Sequence, residues 1–515
     1  MNGMASGIPL LTLLTALPVA GAAIALFSGK HARGVALVTT IAGLALALLV
    51  WTNLPADGSI GMVERAAWAP SLGIEYHLGV DALGALMLVL SAIVTLMSVD
   101  AAHRVHHQPG LYFALVLVLE AGLFGSFTAL NFFHWFLFWE LSLIPAFFLI
   151  KLWGGPKRGP AATQFFIYTM AGSVALLLAF LAVFLSTGSM DFGQLTQMAA
   201  TGELEKLITA HLGSVVLGRP VMLWLAIGVL AGFAVKVPMI PFHTWLPAAY
   251  SEAPSPVTML LTGAMSKMGV YGLLRIAVPI FGHQISQMRT PLLVLAVATV
   301  VMGAWAAAAQ KDLKRVFAYS SVNHLGYCLL GIFALAVPAA GAATVTSQAA
   351  ALNGVILQMF NHGITAAALF WFVAMIQERT GGHRGIDDFG GLRKPAPVLA
   401  GLMGIVLFSS LGLPGLNGFV GEFLIFRGVF PLSWVAATFS ILGLLVTAAV
   451  LLTVIQKVFT GPVPEHCVGF PDLHHGERLA MAPVIGLMLL IGLLPQLIVS
   501  SVNPTVVNLL AHWRF

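Results

Sequence analysis

Charge is scarce in this sequence. Asp, Glu, Lys and Arg together make up 8% of the 515 residues, against about 25% in an ordinary soluble domain, which excludes a water-soluble enzyme folded around one apolar core. Cysteine is scarcer still. Cys328 and Cys467 are the only two, in no CxxC and at no paired spacing, so neither a disulfide framework nor a thiolate metal or iron-sulfur centre is expected. The formal net charge is +5, but no lysine or arginine run accompanies it, and nucleic acid is ruled out as a partner. No GxGxxG stretch, flavin site or quinone pocket is legible. The first apolar stretch has no basic residue ahead of it and no small-residue cleavage site, so it reads as a retained helix.

What is abundant is apolar length. Hydrophobic residues account for 59% of the chain, and runs near twenty residues, the length that crosses a bilayer as a helix, recur fourteen times. They lie near 8–27, 34–52, 79–99, 111–129, 132–150, 162–186, 221–241, 254–280, 291–309, 317–337, 349–375, 396–426, 434–457 and 479–500. The expected fold is an all-α polytopic membrane protein of about 14 transmembrane helices, with loops at 53–78, 187–220, 377–395 and 458–478 and no appended soluble enzyme. Sorting loop lysines and arginines by side gives fifteen against seven, with two lysines left inside the membrane, and so accounts for all 24. Positive charge stays inside, which puts both termini on the outer side.

The chain is organised around residues 221 to 275, where Lys236 and Lys267 sit in two successive apolar helices. A lysine at the centre of a membrane helix costs roughly 2.5 to 3.5 kcal/mol on insertion scales, and a proton or ion path is the usual reason to keep one. Pro238 and Pro241 follow Lys236 and remove amide donors, so the seventh helix should break there. The plainer reading is a packing kink with the lysine reaching for an interface; the ammonium stands far from the helix start. The 396–426 run is too long for one straight crossing and contains Gly412, Pro414, Gly415 and Gly418, so the twelfth helix should break as well. The two breaks stand five helices apart, and an odd repeat reverses orientation. Helices 4–8 and 9–13 are therefore expected to be inverted repeats with the breaks in matching places. The implied divisions are 1–110, 111–280, 281–460 and 461–515.

Three carboxylates join the lysines in the apolar region: Glu120, Glu140 and Glu422. Glu140 ends the aromatic run NFFHWFLFWE, and its charge depends on whether a lysine stands beside it, which makes Glu140 and Lys236 a candidate switch; the bland alternative is a static ion pair. Glu422 follows the glycine-rich break and reads as a terminal carboxylate. Glu120 reads equally as structural or as accessory to the path. A proton hop covers only hydrogen-bond distance or one water, so a carrier is needed between Lys267 and Glu422. His324 and His362, set among small and polar residues, are the candidate relays, against the plain reading of each as a satisfied core histidine. Asp81 reads as a helix cap, His243 as part of the seventh-helix loop, and His103, His106 and His107 as a solvated cluster with no companion carboxylate.

The runs FFHWFLFWELSLIPAFFLIKLWGG, KVPMIPFHTWLP, EAPSPVTMLLTGAMSKMGVYGLLR, KDLKRVFAYSSVNHLGY and GLPGLNGFVGEFLIF resemble the proton-pumping antiporter-like subunits of respiratory complex I, over nearly the whole chain. That resemblance implies a channel built from Glu140, Lys236, Lys267 and Glu422, and the acid in place of lysine at the last position is the pattern of the subunit M branch. It implies a subunit of a proton-translocating NADH:quinone oxidoreductase in a bacterial inner membrane, lodged among other membrane-arm subunits. It implies no redox centre in this chain itself, with FMN, iron-sulfur clusters, NADH and quinone in partner subunits. One departure stands out. Many sequences of that branch read HTWLPDAH where this one reads HTWLPAAY, placing Ala248 and Tyr250 at an acid and a histidine in what is expected to be a loop. The alternatives are an ion-translocating subunit of a related assembly, such as a multi-subunit Na⁺/H⁺ antiporter, a membrane-bound hydrogenase or a bicarbonate-accumulating complex, and a non-conducting structural spacer.

Overall fold

The computed structural model describes residues 9–69 and 74–515. The expected place of the N-terminus, and the first residue of the 8–27 run, fall on residues 1–8, outside the described residues. The chain begins with α1 (Leu10–Phe27) and α2 (Ala32–Thr52), then an antiparallel hairpin, β1 (Gly61–Ala69) and β2 (Ile74–Val80), then α3 (Ala82–Ala101). The first five-crossing half follows: α4 (Pro109–Thr128), α5 (Phe132–Trp153), α6 (Arg158–Thr187), the short α7 (Phe192–Thr201) and α8 (Glu203–Leu212), a small ribbon β3 (Val215–Val216) and β4 (Arg219–Pro220), and the broken pair α9 (Val221–Lys236) and α10 (Trp245–Glu252). The eighth crossing runs through α11 (Ser255–Leu260), α12 (Lys267–Gly272) and α13 (Val278–Gln287), joined by two π turns, Leu261–Met265 and Leu273–Ala277. The second half is α14 (Arg289–Ala308), α15 (Leu313–Ala334), α16 (Ala342–Arg379), the broken pair α17 (Pro397–Ser410) and α18 (Asn417–Leu432), and α19 (Trp434–Phe459); α20 (His475–Leu493) and α21 (Gln496–His512) close the chain.

Among the described residues twelve helices are long and apolar enough to cross a membrane, and the short apolar helices α9 and α17 are the first halves of the two broken crossings. That gives the fourteen crossings expected. The repeat is visible in local chemistry as well as in packing. Asn131 caps α5 by accepting from the Phe133 amide at 3.0 Å, and Asp312 caps α15 by accepting from the Arg315 amide at 3.1 Å. Each cap residue also forms a bridge to the segment that follows the next helix, Asn131 to Asp191 and Asp312 to Gly385. α4 packs along α5 as α14 packs along α15, and α6 packs on both halves of the first broken crossing, α9 and α10, as α16 packs on both halves of the second, α17 and α18. An offset of five crossings places equivalent elements at opposite faces.

Burial separates a centre from a rim. α3, α4, the eighth crossing, α15 and α16 are almost wholly enclosed, whereas α1, α2, α6, α19 and α20 have only a minority of their residues buried. Every helix with an ionisable side chain at its middle, α5 excepted, is central or faces the centre, as expected when bilayer contact is the more costly environment for charge.

Three local expectations change. The 53–78 loop contains the hairpin, because MVERAAWA and IEYHLGV alternate well enough to pair once their ends are held together. The 187–220 loop folds into α7 and α8, with Asp191 capping α7 through the Gln194 amide at 2.9 Å. The last run, 479–500, is broken at Leu494 and Pro495, since Pro495 offers no amide to continue the ladder and disfavours helical backbone at the residue before it.

Candidate functional site

The two breaks form where the sequence places them. α9 stops at Lys236, and residues 237–244, with Pro238 and Pro241, run irregularly into α10. α17 stops at Ser410, and Gly412 and Gly415 take φ values of +81° and +92° around Pro414, a turn that only glycine makes without strain. α18 then starts with Asn417 and Gly418 against the neighbouring α17. Asn417 shares its amide oxygen with the Ser409 hydroxyl at 2.5 Å, and its carbonyl accepts from Asn361 at 2.6 Å. These contacts hold Glu422, one turn on, against α15 and α16.

Between the breaks lies an unbroken set of contacts. Lys267, fully buried, donates to the Thr262 carbonyl in the first π turn, stands 3.4 Å from the Ser266 hydroxyl, and lies 2.8 Å from His362 Nδ1. A π turn frees a carbonyl from the regular ladder, which explains why Thr262 can serve the ammonium group. The His362 and His324 rings are 5.1 Å apart. His324 Nδ1 is 3.1 Å from Glu422 Oε1, and its Nε2 is 3.2 Å from the Ser410 hydroxyl. Gln358 lies 3.4 Å from His324 and donates to Glu422 at 3.5 Å. Lys267, His362, His324 and Glu422 thus form one buried line through the middle of the molecule.

The other expected residues stand differently. Lys236 is buried and does not reach an interface; its Nζ sits 4.7 Å over the Trp139 ring. Glu140 is the next residue on α5, but no contact within ion-pair distance joins it to Lys236, and its Oε1 is buried without a partner. The Glu140–Lys236 pair is therefore not closed. The aromatic sequence itself is the cause: Trp139, anchored by Nε1 to the Ser173 hydroxyl at 3.0 Å, takes the place beside the ammonium. Glu120 lies apart from the line, with both carboxylate oxygens unpartnered and Gly43 of α2 nearby.

Further corrections follow. Ala248 and Tyr250 belong to the buried helix α10, not to a loop; the Tyr250 hydroxyl donates to the Leu261 carbonyl at 3.0 Å, in the same π turn that supplies Thr262. Asp81 does cap α3, accepting from the Gly84 amide at 3.1 Å, and it also pairs with Arg275 at 2.5 Å, which is buried in the second π turn and not in a loop. Lys314, assigned to a loop, is a third buried lysine; it donates to the Ala253 carbonyl where α10 meets α11. The His103 cluster does have a carboxylate: Glu378 lies 3.6 Å from His103 and 3.0 Å from Arg104. Arg275 and Lys314 escape a sequence reading because each lies near the end of an apolar run, where a charge is ordinarily solvated. Cys328 and Cys467 are both free and buried. Among the described residues no cluster of three His, Cys, Asp or Glu side chains is placed to hold a metal.

A family model described as the transmembrane domain of NADH:quinone oxidoreductase/Mrp antiporter subunits matches residues 129–451. The NADH-quinone oxidoreductase subunit M of Rhodobacter capsulatus is 34% identical over 98% of this chain and 97% of its own length. The chain belongs to the NADH:quinone oxidoreductase/Mrp antiporter family. Another relative, NAD(P)H-quinone oxidoreductase chain 4 1 of a Synechococcus species, is 36% identical and covers 92% of this chain and 86% of its own. Among solved structures, a chain of respiratory complex I from Thermus thermophilus superposes with a TM-score of 0.84 at 28% identity, covering 98% of this chain and all of its own. A chain of the Mrp complex from Dietzia reaches 0.83 at 23% identity, over 97% of each chain, which shows the shared antiporter fold. The matched region, 129–451, contains both breaks and the whole buried line.

Proposed function

We propose that this chain is a membrane-arm subunit of a proton-pumping NADH:quinone oxidoreductase, of the subunit M type, and that it carries protons along Lys267, His362, His324 and Glu422. The observation that carries the reading is the contact line itself: each member is within hydrogen-bond reach of the next or, between the two imidazoles, within the span one water bridges. A structural spacer has no need of such a line, since each buried ionisable group costs several kcal/mol unless paired. Glu140 and Lys236 act as the input switch. With no direct contact between them and Trp139 at the ammonium, a small rearrangement of α5 against α9 changes how strongly the two charges interact. Glu120 lies outside this path and is left to an accessory role.

The proposed partners are neighbouring membrane-arm subunits. Glu140 falls on a face of α5 shared with Phe133, Leu137, Ile144 and Phe148, which are 39%, 42%, 50% and 41% exposed. A carboxylate on such a face is costly against lipid, and a neighbouring subunit covering the stripe removes that cost. FMN, iron-sulfur clusters, NADH and quinone are assigned to other subunits. The excess of lysine and arginine on the face opposite the hairpin supports a multi-pass protein of the inner membrane with both termini outside. The organisation proposed is an N-terminal three-helix segment (1–110), two antiporter repeats (111–280 and 281–460) and a C-terminal portion (461–515).

The test is Glu422→Gln in the assembled complex. It keeps shape and hydrogen bonds but removes the titratable group, and NADH-driven proton uptake into inverted membrane vesicles should fall more steeply than NADH oxidation. Unchanged proton uptake per NADH would refute the path.

A further inference from the structure

The face that carries the hairpin, taken as the outer one, has a cavity of about 700 Å³. It is lined by His77, Asp81, Asp191, Arg275, Thr505 and Arg514 among others. Its wall is largely apolar but carries polar and charged side chains, among them His77, whose Nδ1 lies 2.7 Å from Asp191 Oδ2. Burial acts to raise the Asp191 pKa, but the His77 hydrogen bond and the Gln194 amide outweigh it and hold the carboxyl below its usual range. A cavity of this size with such polar partners can hold water. The cavity ends at Asp81 and Arg275, 3% and 8% exposed at the side chain, and Arg275 leaves its Nε without a protein partner. Arg275 is two helical turns along the eighth crossing from Lys267, and each of the two sits at or beside a π turn of that crossing.

We propose that the Asp81–Arg275 pair is a fixed-charge plug: it closes the outer end of the eighth crossing and keeps protons from running back from the outer aqueous phase to Lys267. The proposal rests on the reading of Lys267 as a proton carrier. A proton arriving at the cavity floor meets a guanidinium group, which donates only and does not release its protons. The carboxylate there, Asp81, is committed to Arg275 and to the Gly84 amide; protonating it would strand a buried guanidinium without its partner, at a cost that opposes the step. Below the pair, the Arg275 guanidinium lies 5.6 Å over the Tyr271 ring, and the Tyr271 hydroxyl donates to the Phe127 carbonyl at 3.1 Å. A backbone carbonyl takes that hydrogen bond and cannot pass the proton on. Among the described residues, no chain of exchangeable groups runs from the cavity through Arg275 and Tyr271 to Lys267, and the closely paired guanidinium and carboxylate hold that way shut. A wet cavity this close to the central lysine would otherwise short-circuit the route through His362, His324 and Glu422.

The experiment uses the intact complex in sealed vesicles. Arg275→Gln removes the charge, and the passive decay of an imposed pH gradient should quicken on the order of tenfold, which corresponds to about 1.4 kcal/mol taken from the barrier. NADH oxidation should continue and lose its slowing by the gradient, a change that a merely structural residue would not produce. Arg275→Lys keeps the charge and should hold the gradient. Adding Lys267→Met to Arg275→Gln should abolish the leak. A gradient as durable in Arg275→Gln as in the parent, or a leak that survives Lys267→Met, overturns the plug. Failure of the conduction reading looks different: normal pumping in Lys267→Met alone and in Glu422→Gln. Should Arg275→Gln not assemble, single cysteines decide the matter, because Cys328 and Cys467 are buried. Thr196→Cys, in the cavity lining, should react with an impermeant thiol reagent from outside, and Tyr271→Cys should not. Equal labelling of the two would rule the plug out.

Discussion

His362→Gln separates holding a lysine from carrying its proton. His362 Nδ1 is 2.8 Å from Lys267 Nζ, and its ring is 5.1 Å from that of His324. A glutamine carbonyl can accept from the ammonium group in the same place, so the hydrogen bond to charge, worth roughly 1.5 to 3 kcal/mol, is kept and the fold should survive. What is lost is a side chain that takes a proton on one nitrogen and gives it up from the other. Relay by a positioned acid or base contributes about 10² to 10⁴ in rate, and the gap left between Lys267 and His324 exceeds one hydrogen bond. The step should slow by at least ~100-fold, equivalent to about 2.8 kcal/mol. The assay pairs native-gel assembly with simultaneous NADH oxidation and proton uptake in inverted vesicles. Normal assembly with a lower proton yield per NADH is expected. A fully assembled His362→Gln complex with the parent's yield would mean that the imidazole only packs.

Other substitutions probe the remaining parts. Lys236→Ala removes the charge that answers Glu140, and both proton uptake and coupled NADH oxidation should drop; parental values for both would dismiss the switch. Gly418→Ala places a Cβ on the Ser409 carbonyl oxygen, a backbone atom that cannot swing aside. Overpacking of this kind costs about 1 to 3 kcal/mol, so less assembled complex and a lower thermal midpoint are expected, with unchanged stability as the contrary result. Tyr250→Phe deletes the hydroxyl that anchors the first π turn through Leu261; a loss of about 0.5 to 1.5 kcal/mol should lower thermal stability while the proton yield per NADH stays near the parent's. A yield that collapses would put Tyr250 on the path itself.

Much of this was legible in the sequence because membrane chains obey few rules, and strict ones. Apolar length gives the crossings, and prolines beside Lys236 and glycines around Pro414 give the breaks, since unwound backbone at that depth must be bought with protein or water contacts. His324 and His362 were legible as candidate relays from their polar settings, and the structure places them between Lys267 and Glu422. What one dimension hides is pairing. Asp81 and Arg275 are far apart in the chain and each looks like an interfacial charge until the fold joins them. Trp139 reads as one aromatic of a run, yet it occupies the space where a Glu140–Lys236 contact was expected. Tyr250 reads as loop because the prolines around it conceal the two turns of α10.

The most direct test of the account is infrared difference spectroscopy on the assembled complex as it turns over with NADH, with Glu422→Gln as the assignment control. If protons travel the buried line, a carboxyl band that is absent in Glu422→Gln should appear and disappear with turnover and shift in heavy water. A Glu422 carboxyl that stays in one protonation state while the complex pumps at its full rate would contradict it.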